Sequence, residues 1–219
     1  MGIIDAMERL LFIKEDFCYL CRENRAKDYI CSYCKGLIEF VHQRVEIKLP
    51  HIEGVYSSVL YNRFIREKLH SYKFQGKNYL YKPFGEMLLI TLRENGLEDK
   101  IEGISYVPIH RRKEALRGYN QSKLLAEYVA KALNIPLLDK HLFKVRWTRD
   151  QSKLDRAGRM NNLASSFKAK NIKDFKGKEI LLIDDIITTG ATLMECSKTL
   201  MEAGAKGVYG LVLTSSMKL

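Results

Sequence analysis

Apolar residues recur along this chain with two different periods. Ile3, Ile4, Met7, Leu10 and Leu11 return every three to four positions, which predicts a short amphipathic helix at the N-terminus. Residues 55–60 read as a strand, and 61–70 as a helix with Phe64, Ile65 and Leu69 on its inner face. "SYKFQGKNYLYK" follows as a basic, aromatic turn, and then a helix over 84–95 is closed by Gly96, a residue suited to a left-handed C-cap. Beyond it strands and helices alternate: strand 104–109, helix 120–133, a strand near 142–146, strand 180–183, helix 192–203 capped by Gly204, and strand 208–214. Nearly unbroken apolar strands alternating with helices predict an α/β fold with a mostly parallel sheet. "RWTRDQSKLDRAGRMNN" keeps no such period and reads as a loop or flap.

Cysteine placement adds a feature that periodicity does not carry. Four of the five cysteines form Cys18-Tyr-Leu-Cys21 and Cys31-Ser-Tyr-Cys34, with nine residues between the pairs. Two such knuckles turn four thiolates toward one tetrahedral ion, the pattern of a structural zinc site. A redox dithiol needs one CxxC rather than two, and disulfides belong to oxidising compartments. Four sulfurs leave no open coordination position, so the ion would hold together a segment of about 40 residues that lacks its own core. Cys196 falls in a helical pattern and reads as a small buried apolar residue.

Length and charge bound the remainder. With 219 residues, 46% of them hydrophobic, the chain can bury one main core with a small appendage. No apolar stretch approaches the length of a transmembrane helix, and Asp5, Glu8 and Arg9 interrupt any secretory core, so an intracellular protein is expected. An excess of 37 Lys plus Arg over 26 Asp plus Glu gives +11, which favours polyanionic partners: nucleic acid, phosphorylated metabolites or an anionic membrane surface.

The most specific chemistry lies in "ILLIDDIITTGAT", 180–192. Asp184 and Asp185 emerge from the end of an apolar strand, and ligands of open parallel sheets gather at the strands' carboxyl ends. Ile186, Ile187, Thr188, Thr189, Gly190, Ala191 and Thr192 form a small loop reaching a helix N-terminus. There, free N–H groups, hydroxyls and the helix dipole suit a phosphate, and Gly190 and Ala191 allow the backbone close to it. Phosphate donors beside two carboxylates describe a site for a sugar phosphate, the acids accepting from sugar hydroxyls or metal-bound water. A Walker A loop would need a lysine in GxxxxGK, and a dinucleotide fingerprint GxGxxG after the first strand; neither motif is present.

This stretch resembles the phosphoribosyl pyrophosphate (PRPP) signature of type I phosphoribosyltransferases. With "CYLC", "CSYC", "SYKFQGK", "VPIHRRKEALRGYNQSKLLA" and "QSKLDRAGRMNNLASSF", nearly the whole chain is similar to the ComF family of competence proteins, a zinc-bearing branch of that superfamily. A proline that the family carries before the first knuckle is replaced here by Ile13 and Lys14. The resemblance implies an N-terminal helix and four-cysteine zinc module over 1–50 and a phosphoribosyltransferase-like domain over 51–219, with hood and flap elements about 51–100 and 147–170. It further implies that Val107, Pro108, His110, Arg111 and Arg112 form the loop receiving the pyrophosphate of PRPP, that Arg117 to Gln121, "RGYNQ", begin the flap region over the ligand, and that Lys73 reaches the diphosphate. Mg²⁺ would accompany PRPP. If the protein is catalytic, Asp184 and Asp185 serve transfer of the pentosyl group from PRPP to an acceptor base with loss of pyrophosphate. The resemblance points first to an accessory of natural transformation that handles incoming single-stranded DNA, cytoplasmic or peripheral at the inner face of the membrane, with other DNA-uptake proteins as partners. Tyr72, Phe74, Tyr79 and Tyr81, set among cations, are the expected stacking residues. A phosphoribosyltransferase of nucleotide salvage and a nonenzymatic PRPP sensor are the alternatives.

Overall fold

The computed structural model describes residues 17–147 and 165–216. The expected N-terminal helix lies outside the described residues, as does most of the segment read as a flap. The helices are α1 (Ser32–Gly36), α2 (Arg63–Phe74), α3 (Tyr81–Glu94), α4 (Arg111–Arg117), α5 (Gln121–Leu133) and α6 (Ala191–Glu202). The strands are β1 (Phe40–Arg44), β2 (Gly54–Leu60), β3 (Gly103–Tyr106), β4 (Leu142–Lys144), β5 (Phe167–Ala169), β6 (Glu179–Ile187) and β7 (Gly207–Ser215). Five strands form one sheet in the order β1-β2-β7-β6-β3. All neighbours in it are parallel except β1 and β2. The expected α/β architecture with a mostly parallel sheet is therefore what the chain adopts.

Alternation of side chains across β6 and β7 explains why their sequences are apolar throughout. Leu181, Ile183, Leu211 and Leu213 face a core shared with Ile65 and Leu69 of α2, Phe84 and Leu88 of α3, and Leu125 and Val129 of α5. Ile180, Leu182, Val208 and Val212 face the other way, onto Leu193, Cys196 and Leu200 of α6 and Leu142 and Phe167 of the β4-β5 pair. Cys196 is a fully buried core residue, as its helical phase implied. Gly96 and Gly204 close α3 and α6 as expected. At each, the glycine N–H and the next N–H return to carbonyls of the last turn, as in a Schellman motif.

Three expectations require correction, and one strand was not foreseen. The helix ending at residue 70 continues to Phe74, so Tyr72 and Lys73 are helical and the turn begins only at Gln75. Strand 104–109 stops at Tyr106, ahead of Val107 and Pro108. The strand near 142–146 stays out of the main sheet and pairs with β5 in a separate antiparallel ribbon. β1, which no sequence pattern marked, covers the outer edge of β2.

The cysteine segment is packed into this core. Cys18, Leu20, Ile30, Cys31, Cys34 and Ile38 share a buried cluster with Leu80, Phe84 and Met87. Asn62 joins the two parts: its side-chain oxygen caps α2 by accepting from Ile65 N–H (2.9 Å), while its Nδ2 donates to the Leu37 carbonyl (3.0 Å).

Candidate functional site

The four sulfurs of Cys18, Cys21, Cys31 and Cys34 all lie within 4.8 Å of one another, and Cys21 Sγ and Cys31 Sγ are 3.9 Å apart. Tetrahedral zinc with Zn–S near 2.3 Å needs sulfurs about 3.8 Å apart, so the cluster has the dimensions and the donor set to hold such an ion. Cys31 also caps α1 by accepting from the Cys34 N–H (3.5 Å), and Asn24 Nδ2 donates to the same sulfur (3.7 Å). Burial opposes ionisation of Cys31, but these donors and the neighbouring thiols pull its thiol down to about 7.

The second site forms where β3 and β6 end. β6 runs on through Ile187, so Ile186 and Ile187 are strand residues paired with Thr214 and Ser215, and the loop shrinks to Thr188, Thr189 and Gly190. Ala191 and Thr192 already belong to the first turn of α6. Gly190, the N-cap, has φ +77°, and a Cβ there would meet Leu49 Cδ1 at 2.8 Å and Ile47 Cδ1 at 3.1 Å. The segment between β1 and β2 thus lies directly against this loop.

Being adjacent on a strand, the two acids reach different neighbours. Asp185, 5% exposed, pairs with Lys73 Nζ at 2.8 Å from the last turn of α2. Asp184 Oδ1 accepts from Ser122 Oγ (2.8 Å) and from the Asp185 N–H (2.9 Å). Burial, reinforced by the charge of Asp185, pushes the Asp184 carboxyl up to about 7, against the opposing pull of Lys73 and the Ser122 hydroxyl. Lys144 of β4 is held down at about 8, first by burial and then by Lys113, while Cys196 and Asp184 act in the opposite direction.

Val107 and Pro108 are buried just past the end of β3. His110 is the N-cap of α4, its Nδ1 accepting from the Arg112 N–H (3.3 Å), so the expected loop is in part helical. Arg111 and Arg112 are exposed. Arg117 is the last residue of α4, and 117–121 form the short link from it into α5; the Arg117 guanidinium lies 4.7 Å from the Phe74 ring centre, and Nη1 donates to Gln121 Oε1 (3.1 Å). At the other end of α4, Trp147 meets His110 edge to face at 5.3 Å, with Lys113 Nζ 5.6 Å from its ring. Of the four aromatics expected to stack on bases, Tyr72 is fully buried, Tyr79 packs on Tyr19, Tyr81 packs on Tyr128, and only Phe74, 60% exposed, is open.

Three residues with no role of their own assigned from the sequence, Asn120 among them as part of the expected flap start, also take part in this region. Asn120 and Ser122 begin α5 and contact Val107 and Asp184; a helix-capping asparagine was the available signal. Lys144, in a three-residue strand with no clear period, gave none.

Among the described residues, no helix is long and apolar enough to cross a membrane. Residues 121–216 match the family described as Phosphoribosyl transferase domain. The chain is 30% identical to Competence protein ComFC of Bacillus subtilis over 91% of its own length and 85% of that protein. It is 27% identical to Competence protein F of Haemophilus influenzae (90% of each chain) and 28% identical to the DNA utilization protein YhgH of Escherichia coli (87% and 86%). With this coverage, and with the parallel sheet, the acid pair and the capped α6 loop in place, the chain belongs to the ComF family of competence proteins within the phosphoribosyltransferase superfamily.

Proposed function

We propose that the chain binds PRPP, or a closely related sugar phosphate, and serves DNA uptake as an accessory that handles single strands. The observation that carries the first half is the emergence of Asp184 and Asp185 at the carboxyl end of β6, directly ahead of the Gly190-capped α6. In this reading the α6 N-terminus and the hydroxyls of Thr188, Thr189 and Thr192 take the 5-phosphate. The carboxylates accept from the ribose hydroxyls, and Lys73 turns from Asp185 toward the diphosphate. Val107, Pro108, His110, Arg111 and Arg112 border the space for that diphosphate. Two adjacent carboxylates fit the water shell of Mg²⁺, which would neutralise charge on a leaving diphosphate. Four clustered thiols likewise fit structural zinc.

The second half rests on charge and on the surface around α4. This helix buries none of its residues, carries Arg111, Arg112, Lys113 and Arg117, and is flanked by Phe74 and Trp147, each with a cation over or beside its ring. Alternating cations and open rings suit the phosphates and bases of an unpaired strand, and relatives named for competence and DNA utilization agree with it.

Calorimetry with PRPP and Mg²⁺, run beside fluorescence anisotropy with single-stranded DNA, tests both halves. The Asp184→Asn, Asp185→Asn double variant should lose PRPP affinity while remaining folded. Phe74→Ala, Trp147→Ala should lose DNA affinity, and wild-type DNA binding should weaken with salt at a log-log slope near −0.7 per phosphate neutralised. Absence of DNA binding at low salt, together with pyrophosphate release on adding a nucleobase, would replace this reading with salvage transfer; unchanged PRPP affinity in the acid variant would misplace the sugar-phosphate site.

A further inference from the structure

Three consecutive residues at the start of α5 each hold a different wall of the candidate site. Asn120, 4% exposed, donates from Nδ2 to the Val107 carbonyl at 3.1 Å, while its Oδ1 accepts from the Ser122 and Lys123 N–H groups (3.0 and 3.4 Å). The carbonyl of Gln121, 2% exposed, accepts from the Tyr72 hydroxyl at 2.9 Å, which fixes the last turn of α2 just where Lys73 reaches Asp185. Ser122, 3% exposed, donates to Asp184 Oδ1 at 2.8 Å. The ends of β3, α2 and β6 are far apart in sequence, and one helical turn ties all three.

We propose that Asn120 and Ser122 are positioning residues that align the diphosphate-facing loop with the acid pair, so that the two ends of one ligand are recognised in fixed register from the first turn of α5. This rests on the sugar-phosphate reading above. Both side chains are buried and satisfied within the protein, so they act through Val107 and Asp184 rather than by touching ligand. Asn120 has a second duty as the helix cap, and that duty can be separated from the first: a serine at 120 keeps an oxygen for the cap but is too short to reach the Val107 carbonyl. At 122 the separation runs the other way, since threonine keeps the hydroxyl and alanine removes it.

Three probes divide the ligand: inorganic pyrophosphate with Mg²⁺, ribose 5-phosphate, and PRPP with Mg²⁺, each titrated calorimetrically into the full chain, with melting temperatures recorded alongside. Asn120→Ser should weaken pyrophosphate and PRPP by about fivefold and leave ribose 5-phosphate unchanged. Ser122→Ala should weaken ribose 5-phosphate and PRPP by about tenfold and leave pyrophosphate unchanged, and Ser122→Thr should restore the loss. A purely structural role would instead weaken all three probes together, in step with the fall in melting temperature, and that result would overturn the proposal. So would variants that bind every probe as the wild type does. Wild type that binds none of the probes would overturn the sugar-phosphate reading itself, a different failure from wild-type binding that the variants leave intact.

Discussion

Asp184 and Asp185 are neighbours in the chain, but one leans on a hydroxyl and the other on an ammonium group. Asp184 is pushed from 3.8 up to about 7 by burial and by the charge of Asp185. Between these values the folded protein holds a proton that the unfolded chain releases, so this residue's contribution to stability falls as pH rises from about 4 to about 7, then levels off. Asp184→Asn carries no such proton. Its melting temperature should gain on that of the wild type across this interval and keep a constant gap above it; melting curves with a gap independent of pH would refute the assignment. The acid pair was legible in the sequence because ionised groups rarely end a buried run without a task. Tyr72 was misread for the opposite reason. Its place among Lys73, Gln75 and Lys77 suggested exposure, while its phase with Ile65 and Leu69 put it in the core.

At the scale of elements, legibility followed burial. β6 and β7, covered on both faces, announced themselves as apolar runs; β1, an edge strand of Phe, Val, His, Gln and Arg that is largely open to solvent, left no period to read. α4 was read as a loop because none of its residues is buried, which removes the 3.6-residue signal altogether. The α6 loop was legible in composition, but its length was overestimated, because Ile186 and Ile187 continue the strand beyond the acids. Its tightness makes Gly190 sensitive. Alanine there must adopt a left-handed backbone and displace Leu49, so Gly190→Ala should cost about 1–2 kcal/mol in denaturant unfolding and loosen sugar-phosphate binding. Wild-type stability in that variant would show that the loop and the 45–52 segment yield more easily than their contacts suggest.

Across the whole molecule, the cysteine segment and the sheet are joined through the chain that leads from Ile38 into β1, and through Leu20, Ile30 and Ile38 packed against α3 residues. Metal binding energy would therefore support the sheet as well as the knuckles. Freshly purified protein should contain one zinc per chain, and Cys31→Ser or a strong chelator should lower the melting temperature; elemental analysis without zinc would dismiss the metal. β1 gives the loss of that metal a particular outcome. It is a short strand with a register shift between Phe40 and Gln43, His42 at φ +41° and Arg44 at its end, features that discourage a further strand from pairing on its outer side. Beneath it lies β2, seven residues long and mostly buried, whose outer hydrogen-bonding edge β1 shields. If the knuckles let go and β1 follows, the protein would not simply unravel; it would present a sticky template to its own copies. Metal starvation should then appear in the cell as self-association into oligomers and aggregates, long before the central sheet melts.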